Sequence, residues 1–343
     1  MRAAVLYGKE SVKVEDVPTA PLARGEVRIG IEAALTCGTD LKVFRRGYHA
    51  RMIVPPAVFG HELAGVISEV GPEVEGWRVG DRVVVANSAP CDECFYCGAD
   101  QHNLCDQLEF LNGAYAEAIV VPARLVSRNM LRLRPETSFR DAALVEPLAC
   151  VVQGVRDTAL RPRENVLVIG AGPIGLMFVA LAREAGCEVT VAGRRRARLE
   201  AARRLGASRV LEAPAQGPLA PEVQRHCQTA FDAVIEAVGQ PETWSAAVEL
   251  VRKGGRVNFF GGCPANTSIS LDTSVMHYRN LTLLASFHHT PRGIRRALEL
   301  IERGVVRGVD FVDGECPLSR LPELFQQMAA GNQAVKTFIR VRE

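Results

Sequence analysis

A short apolar run, Val166-Leu167-Val168-Ile169, runs straight into Gly170-Ala171-Gly172-Pro173-Ile174-Gly175 and then into an amphipathic stretch. This order of strand, glycine turn and helix admits few folds. The first glycine permits a tight turn. The second lets the backbone approach a pyrophosphate, and the third lets the helix pack close on the strand. The helix that opens at Pro173 offers free amide donors and the positive end of its dipole to a phosphate. Gly170, Gly172, Pro173, Ile174 and Gly175 are therefore candidate dinucleotide contacts.

The surrounding sequence repeats the same theme. EVTVAG, SRVLE, FDAVIEAVG, GGRVNFFGG and LTLLASF read as strands, with helical stretches such as ARLEAARRLGA in the links between them. Strand–helix alternation with short links predicts an α/β, doubly wound parallel sheet of the Rossmann type. The first 145 residues differ: VRIGIEAAL, ELAGVISEVG, RVVVAN and AEAIVVP are short β-type runs punctuated by Gly and Pro. A chain of 343 residues has room for both kinds of core. The expected organisation is a β-rich domain over 1–147 and 289–343, with the tail returning to it, and a dinucleotide-binding domain over 148–288.

The end of the second parallel strand bears on the choice of nicotinamide cofactor. An NAD site places Asp or Glu there to take the ribose hydroxyls. Here the strand ends Ala192-Gly193-Arg194-Arg195-Arg196, with no carboxylate. Gly193 leaves room, and Arg194 and Arg195 can pair with a 2′-phosphate. NADP is favoured over NAD on this reading, with Arg198 as a further residue facing the cofactor.

Four of the ten cysteines crowd into Cys91-x2-Cys94-x2-Cys97-x7-Cys105. Four thiolates fill the tetrahedral shell of Zn²⁺ and leave no open position, which describes a structural site. A disulfide scaffold would spread its cysteines more evenly. A formal net charge of +2 gives no reason to expect nucleic acid or a membrane surface as partner. The apolar stretch 166–182 is cut by Gly170, Gly172, Pro173 and Gly175 and is too short to span a bilayer comfortably. A cytoplasmic protein is expected.

Two further pieces complete a pattern: Leu35-Thr36-Cys37-Gly38-Thr39-Asp40 and Gly60-His61-Glu62. Ahead of the four-cysteine lobe and the glycine turn, they resemble the medium-chain zinc-dependent alcohol dehydrogenases over the whole chain. Val145-Glu146-Pro147-Leu148 resembles the sorbitol (polyol) and threonine dehydrogenase branch, because simple alcohol dehydrogenases have a cysteine near that position. The resemblance implies a GroES-like catalytic domain beside the Rossmann domain, two zincs per chain, and NADP or NAD. It implies a catalytic zinc held by Cys37 and His61, with Glu62 and Glu146 as carboxylates that ligate it or hold its water. Thr39 matches the family's hydroxyl-proton relay, and Asp40 and the Gly60 turn are support. A zinc with an open position can bind a substrate hydroxyl and lower its pKa, and hydride then passes to the nicotinamide.

Several positions depart from the family pattern. Lys42 stands where a relay histidine is usual. Phe287-His288-His289 replaces Phe-Arg-Tyr after the last Rossmann strand, so His288 becomes a candidate for the cofactor and His289 for the cleft. Ser88 stands where threonine enzymes have a histidine. His49 is the other histidine that can reach the cleft, and Trp77 reads as structural. The expected reaction is oxidation of a polyol, cyclitol or sugar-derived secondary alcohol, or the reverse ketone reduction. Amino alcohols or 3-hydroxy amino acids are the alternative substrates, and a catalytically silent cofactor-binding protein is the alternative class. The family makes homo-dimers and homo-tetramers, and one of these is expected here.

Overall fold

A computed structural model of the chain describes residues 1–49, 51–331 and 334–342. Its contacts divide the chain into two compact units, 1–149 with 289–343, and 150–288. The first division falls inside the helix Val145–Thr158, two residues beyond the expected boundary.

In the first unit, Val27–Leu35, buried along most of its length, and Glu62–Val70, buried over its first half, are two long strands that pair antiparallel, from Val27↔Val70 to Leu35↔Glu62. They form the centre of a seven-stranded sheet. Lys336–Arg340, from the returning tail, pairs with the end of Val27–Leu35 through Phe338↔Leu35. The sheet thus brings residues near 35, 62 and 336 to one place. Apolar side chains pack behind them around Phe44, Phe59, Tyr115 and Phe325, whose ring centroids lie 5.0–6.0 Å apart in the contacting pairs. Rings in offset and edge-on contact add to the area they bury.

The second unit is the doubly wound sheet that the alternation predicts. Its strands are Asn165–Ile169, Glu188–Gly193, Arg209–Glu212, Phe231–Glu236, Val251–Phe259 and Thr282–Ala285. Taken in chain order, they lie in the sheet as 3-2-1-4-5-6, all parallel. The strand order reverses beside Asn165–Ile169, so its carboxyl end is where an open α/β sheet binds a ligand. The stretch that superficially resembled a membrane span is this strand followed by the helix Pro173–Glu184. Among the described residues, no helix is long and apolar enough to cross a membrane.

Candidate active site

In the first unit the chemical groups are built up from a helix cap. Cys37 is the N-cap of the helix Gly38–Arg46, and its sulfur accepts from the Thr39 amide at 3.4 Å. Asp40, three residues on, returns Oδ2 to the Cys37 amide at 3.2 Å. This is a capping box with cysteine in the place of serine. It holds the thiol at the mouth of a helix N-terminus, where negative charge is favoured. Thr39 is half-buried on the same turn, while Lys42 is exposed one turn along.

Asp40 does a second job. Its Oδ1 lies 2.9 Å from Nδ1 of His61, and both side chains are buried. A carboxylate on Nδ1 fixes the tautomer and leaves Nε2 as a metal-binding lone pair. Burial lowers the imidazole's proton affinity, but Asp40 and Cys37 outweigh it, so the pKa of His61 stands well above the usual value. The ligand atoms of Cys37, His61 and Glu62 lie within 4.8 Å of one another.

Glu62 is placed differently from expectation. Its carboxylate is fully buried and receives the Lys336 ammonium, at 2.6 Å to Oε1 and 2.5 Å to Oε2. Lys336 is completed by the Thr36 carbonyl at 2.9 Å. Burial disfavours the ammonium, yet the Glu62 carboxylate and Cys37 hold its pKa above the ordinary value. Glu62 thus meets a cation while its carboxylate still lies with the Cys37 and His61 ligand atoms. Glu146, in the first turn of Val145–Thr158, is buried as well, and one of its oxygens lies within 4.8 Å of a ring nitrogen of His289. Burial pushes the Glu146 carboxyl up to about 7; His61 and Lys336 pull the other way, and Glu62 and Asp40 add to the rise.

These charges test whether a metal fits. Cys37, Asp40, Glu62 and Glu146 can each carry a negative charge, and the buried Lys336 ammonium and, without a metal, a protonated His61 are set against them. Buried charge without a counter-charge costs several kcal/mol per ion. A divalent cation beside Cys37, His61 and Glu62 takes the place of the imidazole's proton and offsets the nearby carboxylates, and the thiolate, imidazole and carboxylate donor set suits zinc.

The four-cysteine lobe has a simpler geometry. The sulfur atoms of Cys91, Cys94, Cys97 and Cys105 lie within 4.8 Å of one another, with Cys91–Cys105 at 3.4 Å, Cys94–Cys97 at 3.6 Å and Cys91–Cys97 at 4.0 Å. Tetrahedral Zn–S bonds of ≈ 2.3 Å imply sulfur separations of about 3.8 Å. Amides of Asp106 and Cys97 lower the Cys94 thiol to about 6, whereas burial and then Cys94 push Cys97 up to about 12. Four thiols so close cannot all ionise without a cation among them.

The remaining histidines divide. His49 Nδ1 accepts from the amides of Arg51 and Met52 at 3.2 and 3.1 Å, and burial followed by nearby His61 lowers its pKa. His289 is buried, with Nε2 2.8 Å from Asn87 Oδ1. Ser88 is buried in a two-stranded pairing with Phe110, and Trp77 lies under the Arg132 guanidinium.

The second unit holds a cavity of ≈ 950 Å³ at the carboxyl end of its sheet. Gly170, Gly172, Gly193, Arg194, Arg195 and Arg198 line it, with the segment 213–220 opposite. The three glycines of the turn separate by cause. Gly170 sits at φ +111°, and a Cβ on Gly175 would lie 1.8 Å from the Gly170 carbonyl oxygen. A Cβ on Gly172 would meet nothing within 4 Å, so the open space there is room for a ligand. Pro173, Ile174 and Gly175 form the helix start and do not line the cavity. His288, at φ 62°, does not line it either.

Gly193 corrects an expectation. Its Cα faces Ala171 of the glycine turn, and a Cβ would come within 2.6 Å of the Ala171 Cβ. Its lack of a side chain serves packing of strand against turn, at a position that also lines the cavity. Arg194 is exposed and donates to the Pro214 carbonyl at 3.3 Å, and Arg195 adopts φ 72° at the start of the helix Arg196–Arg204. Arg196 turns away to Glu200. Lys336 and Tyr115 were missed in the sequence. A lysine at an inward strand position is a signal for a buried partner; the tyrosine in Gly-Ala-Tyr-Ala-Glu gives none.

Comparison with known proteins agrees with this geometry. Residues 23–130 match the alcohol dehydrogenase GroES-like domain, and residues 173–303 match the zinc-binding dehydrogenase domain. D-altritol 5-dehydrogenase of Agrobacterium fabrum is 32% identical, covering 98% of each chain. Sorbitol dehydrogenase of Bacillus subtilis is 28% identical over 99% of this chain and 97% of its own. A Sinorhizobium meliloti 1021 chain solved bound to NADP superposes with a TM-score of 0.88 at 26% identity, covering 99% of this chain and 98% of that one. With a GroES-like unit that gathers thiolate, imidazole and carboxylates, and a Rossmann unit with an open glycine turn, the chain belongs to the polyol branch of the medium-chain zinc-dependent alcohol dehydrogenases and is a zinc- and NAD(P)-dependent oxidoreductase.

Proposed function

We propose that the chain interconverts a secondary alcohol of a polyol, cyclitol or sugar derivative with its ketone, using NADP in preference to NAD. The observation that carries the reading is the buried cluster in which ligand atoms of Cys37, His61 and Glu62 lie within 4.8 Å of one another, with the buried Glu146 carboxyl feeling the charges of His61 and Glu62. Cys37 and His61, with the carboxylates of Glu62 and Glu146, would hold the catalytic zinc or its water, and Cys91, Cys94, Cys97 and Cys105 the structural one. Zinc, when bound, supplies Lewis acidity toward an alcohol oxygen, and the nicotinamide accepts the hydride.

The chain's own residues do the rest. Asp40 fixes the His61 tautomer and ring plane through the 2.9 Å contact to Nδ1. Lys336 neutralises the Glu62 carboxylate beside the Cys37 and His61 ligand atoms. Thr39, on the turn that carries Cys37, is placed to take the substrate hydroxyl proton and pass it outward. Exposed Lys42 lies on the solvent side of that route and does not replace a buried relay histidine. In the Rossmann unit, Gly172 admits the pyrophosphate, and Arg194, Arg195 and Arg198 receive the 2′-phosphate. The NADP-bound relative of this fold supports that cofactor. The relatives named for sorbitol and altritol support the substrate class.

The sheet of the second unit ends at Thr282–Ala285, an exposed edge flanked by exposed Tyr278 and Phe287. Unpaired edge strands are templates for association, and we place the homo-oligomer contact there.

A panel of polyols, cyclitols and amino alcohols assayed with both cofactors tests the reading. Polyol turnover with a higher kcat/KM for NADP is expected. An Arg–phosphate bond is worth ~1.5–3 kcal/mol, so Arg194→Ala with Arg195→Ala should weaken NADP roughly tenfold to a hundredfold and NAD little. A tenfold wild-type preference for NAD, or threonine as the best substrate, would overturn it. Gly193→Asp is unsuited to this test, because its side chain would strike Ala171.

A further inference from the structure

Tyr115 is fully buried in the first unit, and its backbone and side chain touch both segments that carry the proposed metal ligands. On the Cys37 side, its hydroxyl lies 2.5 Å from Asp40 Oδ2 and 3.1 Å from the Leu35 carbonyl. On the His61 side, its amide donates to the Phe59 carbonyl at 2.9 Å, and the amides of Gly113 and Ala114 donate to the Gly60 carbonyl at 2.8 and 3.0 Å. Gly60 takes φ +92°, and a Cβ there would lie 2.7 Å from the Tyr115 ring. The ring therefore fills the space directly under the turn that delivers His61.

Asp40 is a buried carboxylate with three polar neighbours: the Cys37 amide donating to Oδ2, His61 Nδ1 at 2.9 Å from Oδ1, and the Tyr115 hydroxyl at 2.5 Å from Oδ2. The first two are attached to ligand-bearing residues. The third fixes the carboxylate from outside that pair. A carboxylate that lost it would keep one oxygen lone pair unsatisfied in a site with no water-exposed escape, and it would rotate to recover a partner. Rotation moves the two groups that hang from it, the Cys37 cap and the His61 ring. Burial and then Asp40 raise the phenol's pKa well above the usual value, so the hydroxyl stays a donor throughout the working pH range.

We propose that Tyr115 is a positioning residue for the catalytic metal: its hydroxyl locks Asp40, and through Asp40 it sets the mutual geometry of Cys37 and His61. This inference rests on the ligand assignment above and adds to it a residue that touches neither metal nor substrate.

The four-cysteine lobe supplies an internal control, because Tyr115 makes none of its contacts with those thiols. The experiment is chelator-driven zinc release from the holoenzyme, followed with a zinc-sensitive dye that resolves the two sites as separate phases. Groups that orient a ligand from behind typically change metal affinity 10- to 100-fold. Tyr115→Phe keeps the ring and should speed release of the catalytic zinc about tenfold while leaving the lobe phase unchanged. The cobalt(II)-substituted protein should show a shifted visible spectrum for the catalytic site alone. Site-specific 3,5-difluorotyrosine at 115 is a stronger donor of the same shape and should slow the same phase; it also serves if the Phe variant folds poorly. Unchanged catalytic-phase release in both variants, or equal acceleration of both phases, would overturn the proposal, since the first means the hydroxyl is idle and the second means the ring is only core. A single zinc phase in the wild type would instead overturn the two-site ligand assignment and leave Tyr115 a core residue.

Discussion

The lobe and the inner cluster are both zinc sites built on cysteine, yet they are made in opposite ways. The lobe takes all four ligands from one stretch of fifteen residues, Cys91 to Cys105, and its sulfur atoms meet because the chain between them is short. The inner cluster takes Cys37 from a helix cap and His61 and Glu62 from a glycine turn and the strand it opens, and the ligand set proposed for it adds Glu146 from the first turn of another helix. Behind them stand Asp40, Tyr115 and Lys336, the last from the far end of the chain. The lobe uses the metal to hold the polypeptide; the inner site uses the polypeptide to hold the metal. A saturated thiolate shell suits the first task. An open position with an adjustable surrounding charge suits the second.

If that contrast is right, damage to the two sites should appear in different measurements. The largest effect is expected from Cys37→Ser or His61→Ala. Turnover should fall by about 10⁴-fold, or about 5.5 kcal/mol of transition-state stabilisation. The dissociation constant for NADP should stay within a few-fold, because the dinucleotide cavity lies in the other unit. Cofactor titration by fluorescence beside steady-state rates checks this. An equal loss in both would merge two roles that the structure keeps apart.

Next in size is Lys336→Met. It leaves Glu62 as a buried carboxylate without its cation, and breaking such a pair costs ~3–5 kcal/mol. Urea unfolding should show that loss in the metal-free protein. Adding Glu62→Gln should recover most of it, since neither charge then remains. Failure of the second change to restore stability would mean that Lys336 serves the rest of the anionic cluster more than it serves Glu62.

A smaller effect is expected from Cys97→Ser in the lobe. Losing the clip that closes a fifteen-residue loop removes ~3 kcal/mol on the loop-entropy account. The midpoint of thermal unfolding should drop and the lobe should become open to protease, while kcat of the folded fraction changes by no more than a few-fold. Loss of kcat in proportion to that for Cys37→Ser would erase the distinction between the two sites.

Much of this was legible in the residues themselves. The parallel sheet follows from strand–helix alternation, a local pattern that no tertiary contact has to supply. The lobe follows from spacing alone, because a fifteen-residue segment has few ways to keep four thiols apart. The glycine turn states its own geometry, and the open space at Gly172 against the packed one at Gly175 matches the reading of each position. Gly193 shows the limit of that method. The missing carboxylate at the strand end is visible in the sequence, but that its Cα abuts Ala171 depends on how two adjacent strands stack.

What the tertiary structure alone decided is the partnership of charges. Glu62 and Glu146 are equivalent in the sequence, two glutamates able to meet a metal. Pairing of Lys336–Arg340 with Val27–Leu35 brings Lys336 to Glu62 across 274 residues of chain, and that pairing gives one carboxylate an ammonium, while burial pushes the pKa of the other up to about 7. Tyr115 reaches Asp40 across 75 residues in the same way. Residue type and spacing fix which groups a chain can offer. The low-dielectric interior makes each buried charge depend on its immediate neighbours, and those neighbours are chosen by sheet register, which sequence periodicity does not encode between strands so far apart.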